Sequence, residues 1–509
     1  MKMKMGGTTL QKAFILLVSL SLLGLYAANG AHLRHGHGHH GGRHLQHSHH
    51  HAYGRHLQHL HQGYGRHLQH LERHGYGRIN RFRFQQGGDA GTIFNVKSFG
   101  AKPDGRTDNV QAFMKTWNAA CQSGSKATVL IPDGVFLVGQ VIFEGPCKSP
   151  IVVQVKGYLK AVIDVSDYPS PEWISFEHVN GLTVTGGGTL DGQGKTDWKY
   201  NDCSKNAYCQ LLPSSLKLNS VTNGQVGQLK LLDSKAFHMV ILKGKSITVQ
   251  DLQISAPEDS PNTDGIHLSR SIDVTISNVI IGTGDDCISI GQGSNNVNIN
   301  QVYCGPGHGI SVGSLGKYDD EQDVKGVTVN NCTLANTQNG LRIKTWPGSP
   351  PSQASSILFK NVVMKNVRYP IIIDQQYCAS TSHCSNTNPS NVKLSDIRYQ
   401  NIRGTSSSQV AVKINCSPAV PCKGRSDLVK LGKEAFDMLD YVGGGGRKRM
   451  VAQPAAAASA AVGGGSSLAV PAAQSPDEII DCRLSAKEYG RVQIMDFGPR
   501  NGPHGRKAY

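Results

Sequence analysis

Three observations in the sequence predict an all-β fold, a right-handed parallel β-helix. First, Gly is abundant at 59 residues, while aromatic residues make up 6% and apolar residues 38% of the chain, a mix suited to short strands and frequent turns. Second, strand-like segments recur: ITVQDLQI from Ile247, VTISNVII from Val274, VNINQVYC from Val297, VTVNNCTL from Val327, ILFKNVVM from Ile357 and VKLSDIRY from Val392 start 27, 23, 30, 30 and 35 residues apart. Third, the apolar series Ile266, Ile288, Ile310, Leu341 and Ile371 keeps step, at intervals of 22, 22, 31 and 30. Two strand families with one shared period describe a solenoid whose coils stack on each other. A β-sandwich also uses short strands but has no reason to give two series a common spacing.

Residues 1–30 read as a secretory signal peptide. Lys2, Lys4 and Lys12 precede an apolar stretch from Ala13 to Ala27, too short for a comfortable membrane span, and Ala28-Asn29-Gly30 supplies small residues for cleavage. No later segment is apolar enough to cross a bilayer, so no membrane association is expected after cleavage. Residues 31–91 form a His-rich arm with the near-repeat YGRHLQHLHQG, YGRHLQHLERHG. It reads as solvated and disordered because nothing in it forms a packed core. Its imidazoles also suit zinc, copper or nickel, and once protonated they would attract an acidic polymer.

From Thr92 the texture changes. FNVKSFGA resembles an opening strand, Thr107 to Cys121 reads as a short helix, and strands recur after about Val152. Polar residues four places into these strands, such as Gln250, Asn300, Asn330 and Ser395, are placed to stack from coil to coil at a turn. The signal stops near Cys422. Residues 423–509, with Gly443 to Gly446 and an Ala/Gly/Ser tract from Ala455 to Ala473, lack strand periodicity and offer no cap for the last coil. This tail is either a genuine extension or the product of a mis-predicted exon or frameshift.

The net charge of +16 is unevenly spread. Residues 1–91 carry +9 and residues 424–509 carry +3, leaving +4 for the folded middle, so nucleic acid is not expected as a partner. In a secreted chain twelve cysteines form a disulfide framework. Spacing pairs Cys203 with Cys209, Cys287 with Cys304, Cys378 with Cys384, Cys416 with Cys422 and Cys121 with Cys147, leaving Cys332 and Cys482 over. The sequons at Asn331 and Asn415 fit the same compartment.

The coil spacing also acts as a ruler for polar residues. Asp264, Asp286 and His308 fall 22 residues apart and so form a column on successive coils, about 4.7–4.9 Å per step. Asp285 stands beside Asp286, and Arg342 and Lys344 lie one coil further on. Alternation turns Ile266, Ile288, Ile310 and Leu341 inward and His267, Ser289, Ser311, Arg342 and Lys344 outward. It would also turn Asp264 and Asp286 inward, which their charge opposes. A bend at the strand starts, helped by Gly282 and Gly284, is therefore expected to bring all three carboxylates into an external cleft. His238 and His267 read as structural. Three carboxylates, a histidine and two cations suit glycoside hydrolysis, in which one carboxylic acid protonates the leaving oxygen and another carboxylate activates water. Crowded like charges raise at least one pKa, and the two cations suit an anionic sugar such as a uronic acid.

SPNTDGIH (260–267), GTGDDCISI (282–290), CGPGHGISVGSLG (304–316) and LRIKTW (341–346) together resemble a plant polygalacturonase of glycoside hydrolase family 28. GTLDGQG (188–194), FNVKSFGA (94–101) and the tyrosine of IDQQYC, Tyr377, match as well, and the resemblance spans about residues 92–422. It implies a right-handed parallel β-helix and an inverting hydrolysis of α-1,4-linked galacturonan without metal or other cofactor. By position, Asp285 resembles the general acid, Asp264 and Asp286 the pair that holds and activates water, and His308 the residue that tunes the acid. Arg342, Lys344 and Tyr377 resemble galacturonate-binding residues, and Asn262 one that shapes the cleft. The implied partner is pectin, the implied setting a secreted monomer in the cell wall; endo and exo action are not distinguished. Family members continue with further coils after a segment like NCSPAVPCKG, where the match here ends. Two rivals follow from the same features: a calcium-dependent pectate lyase, and a wall protein that binds pectin without turnover.

Overall fold

The computed structural model describes residues 91–202, 209–378 and 388–420, with short strand segments at 429–431, 439–441, 448–449 and 491–493. The expected signal peptide, the His-rich arm, most of the tail and Cys203, Cys384, Cys422 and Cys482 lie outside the described residues. The rest is a right-handed parallel β-helix.

One sheet runs through the strands Val141–Glu144, Glu172–Glu177, Ser214–Asn219, Met239–Leu242, Ile266–Ser269, Ile288–Ile290, Ile310–Leu315, Asn339–Thr345, Tyr369–Asp374 and Val412–Asn415, each parallel to the next. Its register is the one the spacing implies: Ile266, Ile288, Ile310, Leu341 and Ile371 are successive partners, all within the apolar core. The longer strands Ile272–Gly282, Asn295–Cys304, Ser352–Val367 and Val392–Ser406 form the other wall. They bend where a polar residue takes a left-handed conformation, as at Asn278, Gln301, Asn361 and Asn401, positions that asparagine tolerates better than branched residues.

Beside these bends runs an amide ladder. Asn330 donates to Asn300 at 3.0 Å, Asn361 to Asn330 at 3.0 Å and Asn401 to Asn361 at 2.9 Å. Asn300 and Asn330 stack as expected, but the ladder then shifts by one residue and passes Ser395 by, while Gln250 bonds to Asp251 instead.

Parallel pairing begins at Thr92–Asn95, well before Val152. The early coils escape the periodicity because a helix interrupts them. Helix α1 (Val110–Cys121) starts three residues later than expected and lays Trp117 against Phe143 and Phe176 at the first coils. The opening segment is a strand over Thr92–Asn95 that turns into a 3-10 helix at Val96–Phe99.

Beyond Cys422 the chain still pairs. Val429–Leu431 and Leu439–Tyr441 lie parallel to the Val392–Ser406 strand, and Arg491–Gln493 lies antiparallel along Val412–Asn415. Strand pairing therefore outlasts the limit of its legibility in the sequence. Disulfides join Cys121 to Cys147 and Cys287 to Cys304. Cys209, Cys378 and Cys416 are also disulfide-bonded. Cys332 is free and buried, its thiol pushed up to about 12 by burial.

The ladder should contribute measurably to stability. Asn330→Ala removes two of its hydrogen bonds and is expected to cost about 1–3 kcal/mol, read as a lowered denaturation midpoint. An unchanged midpoint would show that water replaces the ladder without cost.

Candidate active site

The acidic residues come from the turns that lead into the first sheet, and their partners come from the strands after those turns. Gly284 makes the close approach possible: a Cβ there would lie 1.9 Å from the Ser260 carbonyl oxygen. Gly307 and Gly309 flank His308 with φ of +144° and +90°, which glycine adopts without strain. The backbone then ties the turns together. Gly265 N–H donates to Asp286 O at 2.9 Å, and His308 N–H donates to Asp285 O at 2.8 Å.

The expected bend is present, for Asp264 and Asp286 join the outward residues Ser289 and Ser311 rather than the apolar interior. Ser289 Oγ donates to Asp264 Oδ2 at 2.6 Å and Ser311 Oγ to Asp286 Oδ1 at 2.8 Å. The open cleft expected for all three carboxylates is not what forms. Asp264 and Asp286 are only 5% and 2% exposed, while the Asp285 side chain keeps 26%. Asp286 is covered by its own counter-ions. Arg342 donates to Oδ1 at 2.5 Å and Lys344 to Oδ2 at 2.9 Å, so these cations are buried as well instead of standing free on the outer face. Arg342 Nε also donates to Ser311 Oγ at 2.9 Å.

These surroundings separate the carboxyls. Burial, then the charges of Asp285 and Asp286, push Asp264 well above its ordinary value, with Ser289 and Lys344 opposing. Burial pushes Asp286 up too, but Arg342 and Lys344 outweigh it and hold the group at about 2. Crowding thus leaves one carboxyl favouring its proton and one firmly ionised. Asp285 Oδ1 lies 3.0 Å from His308 Nδ1 and accepts from the Asp286 N–H at 2.8 Å. Tyr377 places its ring 5.0 Å from Lys344 Nζ and 5.9 Å from the Arg342 guanidinium, edge-on to Trp346. Asn262 sits two residues before Asp264 in left-handed backbone, partly exposed.

Sequence reasoning missed Ser289, Ser311 and the part played by His267. The first two stand at the register position of Arg342, and that was the available signal. His267 Nδ1 is 2.8 Å from Ser289 Oγ. With Ser289 donating to Asp264, the His267 tautomer protonated at Nδ1 completes the chain. His238 is structural, fully buried with Nδ1 3.2 Å from Asp264 O and Nε2 accepting from Ser234 N–H at 3.3 Å.

Asp285, Asp286 and His308 bring possible ligand atoms within 4.8 Å of one another. Both Asp286 oxygens are already engaged by cations, and calcium requires six to eight oxygen ligands. The donor set does not fit that ion.

The sequence profile of glycosyl hydrolases family 28 matches residues 121–430. The chain belongs to this family. An exopolygalacturonase of Arabidopsis thaliana is 48% identical over 352 residues, 69% of this chain and 80% of that one. An exopolygalacturonase of Platanus acerifolia is 50% identical, over 65% of this chain and 88% of its own. Among solved structures, the endo-xylogalacturonan hydrolase of Aspergillus tubingensis superposes with a TM-score of 0.60 at 25% identity, covering 69% of this chain and 93% of that one.

Two imidazoles, His238 fully buried and His267 half-buried, give this family 28 chain an acid sensitivity. Burial holds His238 and His267 at about 4, whereas unfolded histidine titrates near 6.5. Between those values the unfolded chain binds more protons, so stability falls as pH drops from 6.5 toward 4. His238→Gln, which retains a donor and an acceptor, should flatten the fall in Tm across that window; an equal slope in both proteins would contradict the assignment.

Proposed function

We propose that the chain hydrolyses the α-1,4 bonds of polygalacturonate, with Asp285 as the general acid. The observation that carries this is the unequal trio of carboxyls: Asp285 half-open beside His308, Asp286 held ionised, and Asp264 raised. The partly exposed carboxyl can reach a leaving oxygen, and the covered pair can hold water on the other side of the sugar. The ligand atoms of Asp285 and Asp286 lie within 4.8 Å, closer than the roughly 6.5–9.5 Å of a simple inverting pair. In this reading the water sits beside Asp264 and Asp286 jointly, not between one acid and one base. The Asp264–Ser289–His267 chain orients the first of these carboxyls, while Arg342 and Lys344 keep the second charged. Lys344, Tyr377 and Asn262 border the position of the bound sugar.

The family membership and the polygalacturonases among the relatives support pectin as the substrate, and with it a secreted protein of the cell wall. Relatives 46–50% identical carry the name exopolygalacturonase, which supports attack from a chain end. Neither lyase chemistry nor pectin binding without turnover has an observation in its favour.

De-esterified pectin tests this reading. The wild type should release reducing ends in the presence of a chelator with little early loss of viscosity, and Asp285→Asn should lose at least a hundredfold in kcat; equal activity would refute the assigned acid. Ser289→Ala removes a hydrogen bond that lowers the pKa of Asp264. The acidic limb of kcat/KM should move to higher pH, with KM little changed. An unmoved limb would show that Asp264 does not titrate in the reaction.

A further inference from the structure

Beside His308, which lines it, the surface forms an open pocket of about 410 Å³ whose other lining residues the roles above leave unused. It follows the coil register of the active site. Gln338 N–H donates to Gly307 O at 2.8 Å and Arg368 N–H to Thr337 O at 3.0 Å, so His308, Gln338 and Arg368 stand on three successive coils. At one strand spacing per coil, Arg368 is roughly 10 Å from His308.

The backbone of Arg368 is fixed, its carbonyl accepting from Ser406 Oγ at 3.2 Å and from Ser408 Oγ. Its exposed guanidinium lies 5.2 Å from the Tyr369 ring and makes no ion pair among the described residues. The contrast with the catalytic cluster matters, since Arg342 and Lys344 are both engaged with Asp286. Thr337, 3% exposed in the cavity wall, has a buried hydroxyl with no hydrogen-bond partner. Gln338 adds an exposed amide, and Glu258 lines the same space from an earlier coil.

We propose that this cavity is a further sugar subsite, in which Arg368 binds the carboxylate of a galacturonate unit next to the pair flanking the scissile bond. The inference rests on the polygalacturonate reading of the site. A guanidinium pairs with a carboxylate through two parallel hydrogen bonds, and the aromatic ring beside it leaves its donor edge free. Gln338 supplies a donor and an acceptor for ring hydroxyls, and the Glu258 carboxylate accepts from a hydroxyl and disfavours a second anion. Specificity for an acidic unit at this place thus comes from a cation with no carboxylate partner among the described residues.

Calorimetric binding of trigalacturonate to the full chain carrying Asp285→Asn tests the subsite without turnover. Adding Arg368→Gln should weaken binding about tenfold or more and leave binding of uncharged α-1,4-trigalactose unchanged, with circular dichroism confirming the fold. Unchanged trigalacturonate affinity, absent binding in the parent, or an equal loss for the uncharged trimer would each overturn the proposal. Hydrolysis by the wild type is read in parallel. Arg368-dependent binding without hydrolysis would sink the hydrolytic reading alone, and hydrolysis with no Arg368 dependence would sink the subsite alone.

Discussion

Parallel stacking of one coil on the next is the constraint on which the rest of this protein depends. Each inward residue rests on its counterpart one coil away, and a slip of one residue would turn the apolar column Ile266, Ile288, Ile310, Leu341 and Ile371 to the outside. Register is therefore held by the whole core. The same lock fixes the outward neighbours His267, Ser289, Ser311 and Arg342, which are paired in the same ladder. The site needs no separate scaffold. Acidic turns and their strand-borne partners meet because the core permits one alignment.

Within that alignment three carboxyls share a small volume, and each is accommodated differently. Asp286 receives two cations and a serine hydroxyl. Asp264 receives a hydroxyl and is pushed toward its protonated form. Asp285 keeps access to solvent and a histidine. A buried ion pair gains little net stability over an apolar replacement, yet removing one partner is costly. The cluster thus sets unequal charge states among its carboxyls, while the long apolar column supplies stability by burial.

The parts legible in the sequence are those where coil length is constant. Three coils of nearly equal length made the Asp264–Asp286–His308 column, the strand register and the Cys287–Cys304 bridge readable from spacing alone. The first coils were hidden because helix α1 breaks their period. The burial of Arg342 and Lys344 was hidden for another reason: they reach Asp286 from 56 and 58 residues away in the chain, so no local pattern announces the pairing. Ser289 and Ser311 looked like ordinary outward strand residues. Only the positions of Asp264 and Asp286, which alternation alone would send inward, give them partners.

The ion cluster also limits how the site can recognise an anionic sugar. If a substrate carboxylate drew Lys344 or Arg342 fully away, buried Asp286 would keep only one of its two cations, and losing a partner of a buried ion pair is costly. These cations must therefore share their donors rather than exchange partners. Lys344 can do so, because an ammonium has three donors and one goes to Asp286. Arg342 has less to spare, with Nε on Ser311 and one terminal nitrogen on Asp286. Sharing weakens each contact, so a cation outside the cluster can add affinity for a polyanion that the cluster does not supply. The proposed subsite beyond His308 would supply such a cation in Arg368, leaving most of the charge at the centre engaged with Asp286.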